Sequence, residues 1–233
     1  IVHYPIARAG NIGLPAPGSE IKLAPHDGKL EIRVRGPNVS PGYWKRPDLT
    51  DEAFDADGFY RPGDAARLAD PAEPVRGIVF DGRIGENFKL GSGTWVTTGA
   101  LRIAIIAAGA PVIEDAVLAG HDRDEVTLLV FPSLAGCRGL CPHLPADAPL
   151  EALIAESMVR DALALGLERH NAQAGGSSQR IARVLLLDTP ASIDGGEITD
   201  KGYLNQRAVL ANRAALVERL YADAPDAQVI RLR

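Results

Sequence analysis

Three places in this 233-residue chain carry side chains suited to a phosphorylated or hydroxyl-rich ligand. Asp64 closes the run Tyr60-Arg61-Pro62-Gly63-Asp64, so its carboxylate stands beside a Pro-Gly turn on a fixed backbone corner. That arrangement suits accepting hydrogen bonds from paired hydroxyls such as those of a ribose. Asp81-Gly82-Arg83 reads as a second glycine-punctuated turn, in which Arg83 offers a planar fork of five donors to oxygen-rich ligands. Lys201 lies in Glu197-Ile198-Thr199-Asp200-Lys201-Gly202, a polar hairpin after a hydrophobic strand. From such an exposed loop a long ammonium can be delivered into a neighbouring cleft. On residue type alone, the same groups also suit solvated surface turns, with Lys201 beside Asp200 as an ordinary turn lysine.

Cys137 and Cys141 in CRGLCPH, with His143, have neither the usual metal-ligand spacing nor an evident fourth ligand, and read as two free thiols in a reducing loop. The composition is that of a globular chain with material for a core, 46% hydrophobic and 24% charged. A net charge of -5 argues against general binding to nucleic acid or acidic membranes. No apolar run reaches the roughly 18 residues of a membrane span and no signal peptide opens the chain, so a cytoplasmic location is expected.

The elements that must position these groups follow from periodicity. Leu30, Ile32 and Val34 alternate with Lys29, Glu31, Arg33 and Arg35, the pattern of a strand with one apolar and one charged face. His26-Asp27-Gly28 supplies a hairpin turn back to residues 20–23. Residues 38–46 form a Pro/Gly-rich loop whose Tyr43 and Trp44 are expected to pack on an apolar edge. Thr50 is expected to cap a single helical turn ending at Phe54. Residues 1–82 thus read as a small antiparallel β unit.

Beyond Arg83, Phe88-Lys89-Leu90 and Thr94-Trp95-Val96 flank Gly91-Ser92-Gly93 as a short hairpin. A helix is expected over 99–108, and strands over 112–120 and 125–131 joined by the charged turn His121-Asp122-Arg123-Asp124. Residues 137–149 read as a Gly/Pro-punctuated insertion. Leu150, Ile154, Met158, Ala162 and Leu165 recur at helical spacing, with Met158 as core filler. Gly175 to Ser178 ends that element, a strand follows over 181–187, and one last helix opens at Asn205 and runs through Tyr221. The fold class expected is α+β: the small antiparallel β unit, then a small α+β domain over 83–233.

The run GKLEIRVRGPNVSPGYWKRPDLTDEAFDADGFYRPGD, followed by DGR and Lys89, resembles the late core of the adenylate-forming (AMP-binding) superfamily. ENFKLGSGTWV, AGHDRDEVTLLVFP and EITDKGYLNQRAVL are most similar to feruloyl-CoA synthase within it. The resemblance implies an acid-CoA ligase that joins a carboxylic acid to ATP as an acyl-adenylate and passes the acyl group to coenzyme A. The phosphorus transition state concentrates negative charge, which calls for a mobile cation and for donors that fix the nucleoside. By resemblance Lys201 is the catalytic lysine, while Asp64 holds the ribose hydroxyls, Arg83 helps hold the nucleotide and Tyr60 packs near it. Lys89, Gly91, Ser92, Gly93 and Trp95 would form a second face, presented to CoA after the C-terminal domain rotates; Gly91-Ser92-Gly93 equally suits a plain hairpin turn.

Two departures stand out. The usual Gly-Arg-x-Asp becomes Gly82-Arg83-Ile84-Gly85 followed by Glu86, leaving Gly85 and Glu86 as the hinge candidates. Lys201 precedes Gly202, so the usual Gly-Lys order is not kept. The family's phosphate loop is not found, and the chain opens at Ile1 with IVHYPIARAGNIGLPAPG. The expectation is therefore the C-terminal part of a longer enzyme, inactive alone, with Mg2+, most ATP contacts and the acid pocket supplied by an N-terminal domain. A reductase, a peptide-synthetase adenylation domain and a non-catalytic docking module are the alternatives.

Overall fold

The computed structural model describes residues 10–26, 28–224 and 226–232; the turn residue Asp27 and the opening stretch 1–9 lie outside them. The chain divides into two compact units, Ile1–Asn87 and Phe88–Arg233. The boundary drawn from the sequence, between Gly82 and Arg83, falls inside a strand.

The first unit holds β1 (Asn11–Gly13), β2 (Glu20–His26), β3 (Lys29–Arg35), a helix α1 (Pro47–Ala53), β4 (Asp64–Leu68) and β5 (Ile78–Arg83). Its five strands form one sheet in the order β1-β5-β4-β3-β2, antiparallel throughout. The β2–β3 hairpin runs in register from Glu20 opposite Arg35 to His26 opposite Lys29. Ile32, Ala66 and Ile78 are its buried core, with Ile21, Leu23 and Leu68 packed against them.

The charged face of β3 is not solvated as its alternation suggests. Glu31 is only 2% exposed, and the segment 54–61 lies over this face. Arg33 Nε donates to Glu31 at 2.8 Å and Arg33 Nη1 to Asp55 at 2.9 Å. Lys22 reaches Asp55 at 2.6 Å and Asp57 at 2.8 Å. The charges alternate as expected, but they are spent on one another across a polar layer. Helix α1 starts earlier than expected, because Pro47 presets φ at the first turn and needs no donor there. Thr50 does not cap it; its Oγ1 donates to the Arg46 carbonyl at 2.9 Å and accepts from the Tyr43 N–H at 2.9 Å. Trp44 packs on no apolar edge and is 87% exposed.

The second unit continues with β6 (Phe88–Lys89), β7 (Trp95–Val96), α2 (Thr98–Ala108), β8 (Ile113–Ala119), β9 (Val126–Pro132), α3 (Leu134–Leu140), α4 (Leu150–Ala155), α5 (Ser157–Gln173), β10 (Ile181–Leu186), α6 (Gln206–Asn212), α7 (Ala214–Tyr221) and β11 (Val229–Arg231). A four-stranded sheet runs β11-β10-β9-β8, antiparallel except for the parallel pair β9–β10. All seven residues of β9 are buried, which explains its unbroken run VTLLVFP: a strand covered on both faces has no polar side to alternate with. Leu128 and Val130 face Ile105, Leu163 and Leu167 in one cluster; Leu129 and Phe131 face Val209 and Leu220 in the other. Gly166 lets α5 approach α2 closely, since a Cβ there would strike the Ala108 carbonyl.

Four expectations are corrected here. The helix expected from Leu150 onward is two, broken at Glu156, whose extended ψ of 134° ends α4. The break shifts the buried face to Val159, Leu163, Leu167 and Asn171, leaving Met158 and Leu165 each 50% exposed. Residues 137–140 lie within α3 rather than in a loop, and Cys137 and Cys141 are free thiols, both buried. Burial pushes the Cys137 thiol up to about 11. The last helix is also two, α6 and α7, interrupted at Arg213. Among the described residues no helix is long and apolar enough to cross a membrane, and no group of three or more His, Cys, Asp or Glu could hold a metal.

Candidate functional site

In the first unit, Asp64 and Arg83 are cross-strand partners at the end of the β4–β5 ladder. Arg83 Nε lies 3.1 Å from Asp64 Oδ1, and Arg83 Nη1 donates to the Pro62 carbonyl at 3.2 Å. Arg83 is thus on a strand and not in the separate turn that the sequence suggests. A bulge creates the pairing: Leu68 faces Ile78, Arg67 faces Val79 and Ala66 faces Phe80, so an unbroken ladder would set Asp64 opposite Gly82. One extra residue on β5 sets it opposite Arg83, the re-aiming for which bulges are known. Gly82 absorbs the insertion at φ 88°, a left-handed conformation that other residues adopt only with strain. Gly63, at φ 76°, turns the chain into β4 just before Asp64, and the Ile84 N–H closes the end on the Gly63 carbonyl at 2.8 Å. The Arg83 side chain is 55% exposed and that of Asp64 28%, with Asp64 Oδ1 itself buried.

Tyr60 is held by a double backbone bond to Val34, at 2.8 and 2.9 Å, and its ring packs on Phe54 at 5.6 Å. It lines a mostly apolar cavity of about 450 Å³ with Val34, Val39, Tyr43, Phe54 and Pro62. The Tyr43 and Tyr60 hydroxyls stand 3.4 Å apart, and that contact together with burial raises the Tyr60 phenol above its ordinary value. Tyr43, assigned from sequence to edge packing, belongs to this cavity. Its only sequence signal was an aromatic in a Gly/Pro loop. Gly85 and Glu86 form a single 3-10 turn with Ile84, directly before the boundary between the units. Gly85 does not use a conformation reserved for glycine, and a Cβ there would meet nothing within 4 Å.

In the second unit, β6 and β7 pair as the expected hairpin, with Lys89 opposite Trp95 and its Nζ 4.8 Å over the indole ring. Gly93 turns at φ 81°, and Gly91, Ser92 and Gly93 are all exposed. The hairpin is docked on the β8–β9 turn: the Gly91 N–H donates to the Arg123 carbonyl at 2.8 Å, and the Asp122 N–H to the Lys89 carbonyl at 2.9 Å. Lys201 lies at the exposed tip of a short hairpin, in which Ile198 bridges Leu204 and the Thr199 N–H donates to the Tyr203 carbonyl at 2.8 Å. At its base is a pair that reading the residues did not pick out, Glu197 with Arg213. The sequence reading of one helix through Tyr221 gave Arg213 no role; its position at the junction of two helices sets it beside Glu197.

The structure therefore brings Asp64 and Arg83 into contact and places Tyr60 on a cavity in the same unit. It places Lys89 to Trp95 on one hairpin and Lys201 on another, both in the second unit.

No family model matches the chain. It is 34% identical over 228 residues to a Mycobacterium tuberculosis protein named as a fatty-acid–CoA ligase, covering 95% of this chain and 37% of that one. It is 26% identical over 234 residues to a carboxylic acid reductase of Segniliparus rugosus, covering all of this chain and 18% of the reductase. The adenylation domain of a Segniliparus rugosus carboxylic acid reductase, solved with AMP and a co-purified carboxylic acid, superposes with a TM-score of 0.67 at 23% identity, over 87% of this chain and 31% of that one. That likeness establishes the fold: the mixed α+β architecture of the C-terminal part of an adenylation domain. The chain spans under two fifths of the length of the curated relatives it matches.

Proposed function

We propose that the protein carrying this chain activates a carboxylic acid with ATP, releasing pyrophosphate and forming an acyl-adenylate, then transfers the acyl group to the thiol of coenzyme A with release of AMP. The observation that carries the reading is the Asp64–Arg83 pair, set by a bulge at a strand end in the unit that holds the Tyr60 cavity. A carboxylate already oriented by a guanidinium accepts two adjacent ribose hydroxyls at little entropic cost, and the arginine keeps donors for the nucleotide's oxygens. Lys201 supplies the cation at the α-phosphate, and the Lys89–Trp95 hairpin faces the pantetheine arm. Mg2+, the rest of the ATP contacts and the acid pocket belong to a further domain, for which the limited span of the relatives leaves room. The substrate class we favour is an aromatic acid of the feruloyl type, on the resemblance of ENFKLGSGTWV, AGHDRDEVTLLVFP and EITDKGYLNQRAVL alone.

Pyrophosphate exchange into ATP, measured with a panel of aromatic and fatty acids, tests this; an enzyme that exchanges with no carboxylic acid does not have the activity. A second reading is favoured by the likeness to reductase adenylation domains. In it the acyl group passes to the thiol of a carrier domain with release of AMP, and a hydride from NADPH then reduces the thioester to an aldehyde, freeing the thiol. Product analysis with CoA against NADPH separates the two. The turn at Gly85 and Glu86 is the proposed pivot between half-reactions, so Gly85→Pro is expected to slow thioester formation more than adenylation. Equal losses in the two half-reactions would place the pivot elsewhere.

A further inference from the structure

The loop that carries Lys201 runs from the end of β10 to the start of α6, residues 187–205, with no regular element of its own. One side chain gathers it. Arg213, at the junction of α6 and α7 and 11% exposed, holds Glu197 with both arms of its fork, Nε to Oε1 at 2.9 Å and Nη2 to Oε2 at 2.8 Å. It also donates to Thr189 Oγ1 at 3.0 Å, the Thr189 carbonyl at 3.2 Å and the Pro190 carbonyl at 2.7 Å, and its guanidinium stands 5.0 Å from the centre of the Phe131 ring on β9. Glu197, 2% exposed, accepts in addition from the Ser192 N–H at 2.8 Å, and its carbonyl takes the Asn205 N–H at 2.8 Å. Glu197 and Asn205 are the two feet of the lysine hairpin. Asn212, next to Arg213, adds a bond to the Gly195 carbonyl at 2.9 Å.

A carboxylate is withdrawn from water only where charge and hydrogen bonds compensate it fully, and a bidentate fork fixes direction as well as distance. Here the fork ties the entry of the loop, the foot of the hairpin and the sheet to one point. We propose that Arg213 is a positioning residue for Lys201: through Glu197 it sets where the tip of the 198–204 hairpin stands. The inference rests on the reading of Lys201 as the adenylating lysine.

The test is a double-mutant cycle in the protein that carries this chain. Arg213→Met is expected to lower acid-dependent pyrophosphate exchange at least tenfold and to change thioester formation from supplied acyl-adenylate less than twofold. In a Lys201→Ala background it is expected to add less than twofold, since a misplaced lysine and an absent one are then equivalent. Multiplying losses would overturn the positioning role, while a silent Lys201→Ala would overturn the functional reading and this inference with it. Hydrogen exchange gives a readout that needs no activity: in Arg213→Met the Thr199, Gly202 and Asn205 amides are expected to exchange faster while those of Leu128 and Val130 do not. Unchanged protection of the hairpin amides would also overturn it. Should Arg213→Met fail to fold, Arg213→Lys carries both measurements, because an ammonium can hold one Glu197 oxygen but not the fork.

Discussion

The Asp64–Arg83 pair and the Lys201 hairpin are held in opposite ways. Asp64 and Arg83 are built into a β-ladder, touch each other at 3.1 Å and owe their alignment to a single inserted residue. Lys201 is exposed, at the tip of a hairpin whose foot Glu197 is held in a buried ion pair. A group that only has to bind can be fixed in advance, because the ligand comes to it. A charge needed in one step and unwanted in the next must be mobile, and its precision then depends on how firmly the loop is rooted.

The largest expected effect breaks the mobile side of this contrast. In its proposed role Lys201 is a single transition-state donor, so Lys201→Ala is expected to cost about 2.7 to 4 kcal/mol, or roughly a hundred- to thousand-fold in adenylation rate. Thioester formation from supplied acyl-adenylate should persist, and paired half-reaction rates on one variant decide it. On the fixed side, the proposed ribose contact makes Asp64→Ala remove charge-assisted hydrogen bonds worth about 1.5 to 3 kcal/mol. That corresponds to roughly a ten- to hundredfold rise in KM for ATP, with kcat falling less, because the contact exists before the reaction begins. A variant that loses kcat alone would move Asp64 from binding into chemistry.

Gly82→Ala sharpens the comparison without removing any ligand-facing group. It forces a Cβ into φ 88° at a buried strand position, a strain of about 1 to 3 kcal/mol, readable as a lower denaturant midpoint of the first unit. A weaker affinity for AMP should accompany it, since the bulge aligns the pair. The smallest effect concerns acid. Arg213 beside Glu197 holds that carboxyl below its ordinary value. A depressed carboxylate stabilises the fold above its unfolded pKa, near 4.5, and that contribution is lost as pH falls through the lower folded value. Acid titration of the second unit should therefore steepen below about pH 4.5, and the Glu197→Gln variant should show a shallower slope in that window.

The sequence by itself determined the order and type of most elements: the β2–β3 hairpin, the β6–β7 hairpin, strand β9 and the helix-capping Asn205, whose side chain accepts the Ala208 N–H. Each rests on local periodicity or turn chemistry, which a short window contains. It also marked Asp64, Arg83 and Lys201 by type and setting. What it could not carry was anything decided by a distant partner. The breaks at Glu156 and Arg213 turn on where each half-helix finds a core to cover, so Met158 sits on the expected apolar stripe and yet is half exposed. Glu31 reads as a solvated strand charge until Arg33 and Arg61 close over it. Arg83 faces Asp64 only because a bulge shifts one strand against another by one residue, and Arg213 finds Glu197 only once a loop of nineteen residues has folded back. Register and burial belong to pairs of segments, so tertiary structure alone assigns them.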